Sequence, residues 1–186
     1  MSDSEVIQEL KNSLNQYPNF PQEGILFEDF LPIFRSPDLF NKLIQVFKNH
    51  IEKKFASVKI DYVVGLEARG FLFAPTLALA LNAGFIPVRK QGKLPGKTVS
   101  ATFQKEYGED VFEIQSEDIK TNANVIIVDD ILATGGSAGA AGNLFQKVNA
   151  NILEFIFVME LDFLKGRDKL PAPVYTLFGD QKEALK

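Results

Sequence analysis

Asp129 and Asp130 stand side by side at the end of an apolar run, Val125 to Val128, and the stretch A-T-G-G-S, Ala133 to Ser137, follows two residues later. Glycines and hydroxyl side chains ahead of an alanine-rich segment can build an anion site. The first turn of a helix has N–H groups without intrahelical acceptors and carries partial positive charge. Two carboxylates directly in front of such a turn would repel a bare anion. They suit a sugar phosphate, whose hydroxyls donate hydrogen bonds to the carboxylates while the turn, with the Thr134 and Ser137 hydroxyls, holds the phosphate.

Rival motifs fail on particular residues. A nucleotide P-loop needs G-x-x-x-x-G-K-[ST], and no lysine occupies this turn; the dinucleotide pattern G-x-G-x-x-G is absent as well. Gly135 to Gly139 reads G-G-S-A-G and matches a nucleophile elbow, which requires a histidine later in the chain. The single histidine is His50, upstream, so a hydrolase triad cannot be assembled. His50 is read as an ordinary helix residue. A second chemical feature is cationic: Arg89, Lys90 and Lys93 cluster at the end of another apolar stretch, and Arg69 stands earlier, in G-L-E-A-R-G.

Composition narrows the setting. The chain has 186 residues, 46% apolar and 24% charged, which is about one domain's worth of a globular protein. Its net charge of -4 supplies no field for nucleic acid or an anionic membrane surface, so an anionic ligand must be held by local groups. The absence of cysteine excludes disulfides, thiolate catalysis and Cys-based zinc sites. The start M-S-D-S-E-V-I-Q-E-L is acidic and polar, and no uncharged stretch reaches the ~20 residues of a membrane span. The expectation is a cytoplasmic protein with no nucleic-acid or membrane partner.

These residues need a scaffold, and hydrophobic spacing outlines one. A first helix is predicted over 3–16, from Val6, Ile7, Leu10 and Leu14. A second opens at S-P-D-L-F with Ser36 as cap, buries Leu39, Phe40, Leu43, Phe47 and Ile51, and ends near Phe55. From there strands and helices alternate: I-D-Y-V-V-G, a helix from Phe71 to Ala83, F-I-P-V-R, N-V-I-I-V-D-D, a helix from Ser137 to Val148, and I-L-E-F-I-F-V-M-E-L. That order predicts an α/β fold with a central, mostly parallel sheet flanked by helices. Residues 90–115 are read as strands around loops, and P-V-Y-T-L-F as an edge strand. Ligands of open parallel sheets bind at the carboxyl ends of the strands, so the loops after Val64, Val88 and Val128 belong at one site.

The run V-I-I-V-D-D-I-L-A-T-G-G-S resembles the phosphoribosyl-pyrophosphate (PRPP) signature of the type I phosphoribosyltransferases. The resemblance extends, in order, through N-F-P-Q-E-G-I-L-F-E-D-F-L-P-I-F, V-V-G-L-E-A-R-G-F-L-F-A-P-T-L-A-L-A-L, I-P-V-R-K-Q-G-K-L-P-G, K-E-Y-G-E-D-V-F-E-I-Q and F-V-M-E-L-D-F-L-K-G-R-D-K-L to the adenine-specific branch of that family. It implies the type I phosphoribosyltransferase fold as one domain over 1–186, with an N-terminal hood over about 1–35 and a flexible catalytic loop over about 98–112. The implied reaction transfers 5-phosphoribose from PRPP to N9 of adenine and gives AMP and pyrophosphate, with Mg2+ carried mainly by PRPP and pyrophosphate, and Asp129 the carboxylate that could reach it. A homodimer is implied too.

The same resemblance distributes roles. Asp129, Asp130, Ala133, Thr134, Gly135, Gly136 and Ser137 would hold the ribose and phosphate of PRPP or AMP. Glu67, Ala68, Arg69, Arg89, Lys90 and Lys93 would meet pyrophosphate, with Glu67–Ala68 in the cis form. Leu26, Phe27, Glu28 and Ile131 would form the adenine pocket, where ring stacking contributes ~1–3 kcal/mol. Glu106 would act as acid/base at N7 of the base, and Tyr107 would help order the loop over a ribose that water could otherwise capture. Glu28, Ala68 and Ser137 depart from residues frequent in the family; at Glu28 and Ala68 the implied contacts are mainly backbone. Two alternatives stand beside this reading: a regulatory or catalytically weak paralogue that binds PRPP or AMP, and a transferase for another purine.

Overall fold

The first helix, α1 (Asp3–Asn12), begins at Ser2, whose hydroxyl accepts from the Glu5 N–H while the Glu5 carboxylate accepts from the Ser2 N–H at 2.7 Å. It stops at Asn12, short of the predicted Gln16. Ser13 Oγ donates to Leu10 O at 2.7 Å, and the chain then extends as β1 (Asn15–Pro18), paired antiparallel with β2 (Leu26–Asp29). Pairing with a strand farther along outweighs the helical spacing of Leu14, and Pro18 could not have continued a helix. After α2 (Leu31–Arg35), α3 (Pro37–Lys54) opens as its sequence predicts, with Ser36 Oγ accepting from the Leu39 N–H at 3.3 Å. Leu43, Phe47 and Ile51 are buried, joined by Ile44 and Val46, while Leu39 and Phe40 are only partly covered. Phe40 meets Phe34 edge to face at 5.1 Å, and Lys42 joins α1 to α3 through Glu9 at 2.8 Å.

The molecule is a computed structural model in which residues 2–20, 23–24, 26–104, 108–117 and 119–179 are described. It divides into two compact units, one ending at Ala56 and the other spanning Ser57–Gly179. In the second unit follow β3 (Tyr62–Leu66), a 3-10 turn (Arg69–Leu72), α4 (Ala74–Ala80), β4 (Gly84–Lys90), β5 (Thr98–Gln104), β6 (Glu109–Gln115), β7 (Asn124–Leu132), α5 (Gly136–Lys147), β8 (Asn151–Glu160) and β9 (Val174–Phe178). The helix predicted from Phe71 to Ala83 is thus divided. Pro75 cannot donate an N–H and fits the first turn of a helix, so α4 starts there and the residues before it form the separate turn.

Seven strands form one sheet in the order β5-β6-β4-β3-β7-β8-β9. The five from β4 to β9 are parallel, and β6 and β5 add an antiparallel pair beyond β4. Val125 to Val128 of the central strand are at most 1% exposed, because both sheet faces are covered. On one face Val64, Val125, Ile127, Phe155 and Phe157 cluster with Leu144 and Phe145 of α5. On the other, α4 comes so close to β3 that a Cβ on Gly65 would lie 2.8 Å from the Ala74 Cβ. Burying one such Val or Ile stabilises by about 1.5–3 kcal/mol. Among the described residues no helix is long and apolar enough to cross a membrane.

Candidate active site

Because β3, β4, β7 and β8 are parallel neighbours, their carboxyl ends share one edge of the sheet. A cleft of about 270 Å³ opens there, lined by Glu67, Ala68, Arg69, residues 129–138 and Phe157. The loops after β3 and β7 therefore come together where parallel-sheet topology places a ligand, and the end of β4 meets them through Glu67.

Asp129 and Asp130 close the buried run of β7 and differ in surroundings. Asp130 is 3% exposed, and its Oδ2 lies 2.7 Å from Arg69 Nε. The contact is an ion pair by distance, but the N–H is not aligned on that oxygen as a hydrogen bond. Asp129 retains some accessible surface, yet its carboxyl turns inward over Gly70, where an added Cβ would sit 3.3 Å from Oδ1. That oxygen accepts from the Asp130 N–H at 2.9 Å. Burial pushes the Asp129 carboxyl well above the usual carboxylate range, and the neighbouring Asp130 charge pushes the same way, outweighing that N–H and the Arg69 charge. The close backbone approach at Gly70 also places Arg69: its added Cβ would meet Val128 O at 2.8 Å.

Beyond Leu132 the chain turns into α5 through Gly135, whose φ of +80° is the left-handed conformation that favours glycine. No side chain caps α5, so among the described residues its first N–H groups have no side-chain acceptor, and Thr134 and Ser137 border them. An uncapped helix start inside a cleft is arranged to receive an anion.

The cations of β4 are gathered by Glu67. Glu67 Oε1 accepts from Lys93 Nζ at 3.0 Å and from Arg89 at 3.3 Å, and Oε2 accepts from the Lys90 N–H at 3.0 Å. Its side chain is 13% exposed, covered by basic side chains that are themselves 34% and 48% exposed rather than by the protein core. Burial alone would raise its pKa; the Lys90 N–H, Lys93 and Arg89 outweigh it and hold the carboxyl at about 2. The Lys90 ammonium lies 3.3 Å from Asp110 at the foot of β6, and the Glu67–Ala68 peptide is cis.

Of the residues singled out in the sequence, Glu67, Ala68, Arg69, Asp129, Asp130, Ile131 and residues 133–137 line the cleft, and Arg89, Lys90 and Lys93 join it through Glu67. Leu26, Phe27 and Glu28 lie on β2 in the first unit, where Phe27 meets Phe20 edge to face at 5.0 Å and Glu28 accepts from Gln16 at 2.9 Å. Glu106 and Tyr107 fall outside the described residues; the segment 98–112 otherwise forms most of the β5–β6 hairpin. Residue spacing does not single out Gly70, Asp110, Phe157, Glu160 at the end of β8, or Gly166 and Arg167 in the turn beyond it. A glycine set among charged residues in L-K-G-R-D-K, just past a strand end, was the available signal.

No group of three or more potential metal-binding side chains occurs among the described residues. Mg2+ commonly relies on one or two carboxylates together with substrate phosphates, and the crowded Asp129–Asp130 pair fits that donor set.

Residues 32–184 match the family model described as the phosphoribosyl transferase domain. Over 185 residues the chain is 69% identical to adenine phosphoribosyltransferase of Kluyveromyces lactis, covering 100% of this chain and 99% of the relative. It is 68% identical to adenine phosphoribosyltransferase 1 of Saccharomyces cerevisiae over the full length of both. The crystal structure of adenine phosphoribosyltransferase from Saccharomyces cerevisiae, complexed with adenine and an imino-altritol bisphosphate, superposes with a TM-score of 0.92 at 68% identity, covering 94% of this chain and 99% of that one. The chain belongs to the phosphoribosyltransferase family and, within it, to the adenine phosphoribosyltransferases.

Proposed function

We infer that the cleft carries out its family's reaction with a division of labour set by the sheet edge. The chain transfers 5-phosphoribose from PRPP to N9 of adenine and releases AMP and pyrophosphate, a step of purine salvage. The observation that carries the site assignment is the adjacency of an acid pair to an uncapped helix start on one strand-turn-helix unit. Asp129 and Asp130 accept from the ribose hydroxyls. The N–H groups and hydroxyls of residues 133–137 hold the 5′-phosphate, which fixes C1 of the ribose near the ends of β3 and β4. Arg69, Arg89, Lys90 and Lys93 receive the departing pyrophosphate through charge-assisted bonds, with Glu67 and Ala68 at the same turn.

Asp129 is the protein carboxylate that would hold Mg2+ arriving with PRPP, and the ion would supply charge neutralisation for the leaving group. Phe27 stacks on the adenine, the backbone of Leu26 and Glu28 reads its edge, and Ile131 packs against it. Glu106 exchanges a proton with N7 as N9 attacks, and Tyr107 supports the closed loop; these two roles rest on the resemblance alone. The hood over about 1–35, the catalytic loop within about 98–112, a homodimer and a cytoplasmic location complete the reading. Its test is the purified protein with PRPP, Mg2+ and each purine base in turn. Rapid AMP and pyrophosphate formation with adenine alone is expected. Clear AMP binding without turnover on any base would move the protein to a regulatory or inactive paralogue.

A further inference from the structure

The segment that follows β8 folds back against the turn between β7 and α5. A Cβ on Gly166 would lie 2.1 Å from Ala133 O and 2.9 Å from Gly135 N, and one on Gly135 would lie 2.4 Å from Gly166 O. These are backbone-to-backbone approaches that any side chain would force apart. The contact continues along α5: an added Cβ on Gly139 would meet Lys169 O at 3.9 Å, and one on Gly142 would meet Pro171 at 3.0 Å. Gly135, Gly139 and Gly142 recur at i, i+4 and i+7, so they present one glycine stripe to residues 166–171.

The fold-back is anchored at both ends. Leu161 N–H donates to Leu132 O at 2.9 Å, joining it to the last residue of β7. Lys165 turns the chain at φ +51°, and the Arg167 guanidinium then reaches back to Glu160 with both Nε, at 2.8 Å, and Nη2. Glu160 is 1% exposed, on the final residue of β8, whereas Arg167 is 47% exposed. Such a two-pronged bond fixes direction as well as distance. Neither side chain lines the cleft.

We propose that Glu160 and Arg167 are positioning residues for the phosphate-holding turn: by locking Gly166 against Ala133 and Gly135, they set where the N–H groups of α5 point. The inference rests on the reading that residues 133–137 hold the 5′-phosphate. A turn held in this way is ordered before the ligand arrives, and small displacements of such donors weaken phosphate contacts without touching the base.

The test compares AMP with adenosine, which lacks only the phosphate, by calorimetric titration of the full chain. Arg167→Gln is expected to reduce AMP's advantage over adenosine by about tenfold, with pyrophosphate affinity unchanged and Arg167→Lys intermediate. Glu160→Gln/Arg167→Gln, which leaves no unpaired buried charge, should show the same loss. A wild-type AMP-over-adenosine ratio in both variants, even with a lowered melting temperature, would limit the pair to fold stability and overturn the proposal. Thr134→Val/Ser137→Ala and Gly136→Pro, which remove the hydroxyls and a backbone N–H donor of the turn, separate the two levels. If they also leave the ratio unchanged, the turn does not hold the phosphate and both readings fall; if they lower it while the Arg167 variants do not, only the positioning role is lost.

Discussion

Arg69 Nε lies 2.7 Å from Asp130 Oδ2, so the cation proposed for pyrophosphate and an acid proposed for the ribose hold each other across the cleft. Arg69 is half-exposed while Asp130 is buried, which makes the pair weak, worth at most about 1 kcal/mol. A ligand offering hydroxyls to one and phosphate oxygens to the other can replace it. Asp130→Asn is therefore expected to change stability little but to weaken AMP and PRPP roughly 10–100-fold, as loss of a hydrogen bond to a charged group does. Preference for adenine over other bases should persist; a switch in base preference would place Asp130 at the base instead.

Asp129 makes the opposite kind of prediction. Burial and the adjacent Asp130 raise its pKa, so the folded protein holds that proton more tightly than the unfolded chain does. Between the unfolded carboxylate value, about 3.9, and the raised folded value, stability falls as pH rises. Asp129→Asn keeps an oxygen for the Asp130 N–H and removes the charge. Without ligand it should melt above the parent protein at pH 8, by a margin that shrinks toward pH 4, while binding Mg2+ and PRPP less well. A variant that melted lower at pH 8 would mean the ionised carboxylate is stabilised in the folded state.

How far the sequence foretold this site depends on whether each determinant is local. The order of strands and helices, the acid pair and the glycine turn are set by residues a few positions apart, and spacing alone identifies them. Where α1 ends is set by the pairing of Tyr17 with Phe27, a contact that helical spacing cannot register. The same applies to Glu67: G-L-E-A-R-G reads as an acid beside Arg69, but the register of β3 with β4 turns it toward Arg89, Lys90 and Lys93. Gly166 looks like an ordinary turn glycine until the fold brings Ala133 against it.

The Glu67 cluster should register in acid. A carboxyl held at about 2, against an ordinary 4.5, contributes stability above pH 4.5 that is lost as pH falls toward 2. Its cationic partners are partly exposed and screened, so the contribution is about 1 kcal/mol rather than the full linkage value. Glu67→Gln should be less stable than the parent by that amount at pH 6 and nearly equal to it at pH 2 in urea titrations. A gap that stays constant across this range would show that the side chain acts by packing.

Glu106 can be separated from the binding machinery by kinetics. Glu106→Gln is expected to lower kcat by roughly 10²–10⁴ if the residue transfers a proton in the transition state, with AMP affinity nearly unchanged. Rates indistinguishable from the parent protein would remove it from the chemistry and return the loop to a purely protective role.

Gly70 links the two halves of the cleft, and its replacement is the most economical probe of that link. An alanine Cβ would stand 2.8 Å from Val128 O and 3.3 Å from Asp129 Oδ1, both on the central strand, so the 3-10 turn carrying Arg69 must move outward. Forcing a methyl into a packed site costs about 1–3 kcal/mol. The displacement carries Arg69 away from Asp130 and presses on Asp129, which predicts weaker binding of both pyrophosphate and AMP from one added carbon. Thermal unfolding measures the first effect and separate titrations the second. Weakened pyrophosphate binding with AMP unaffected would show that the turn moves alone and that the acids keep their places on β7 without it.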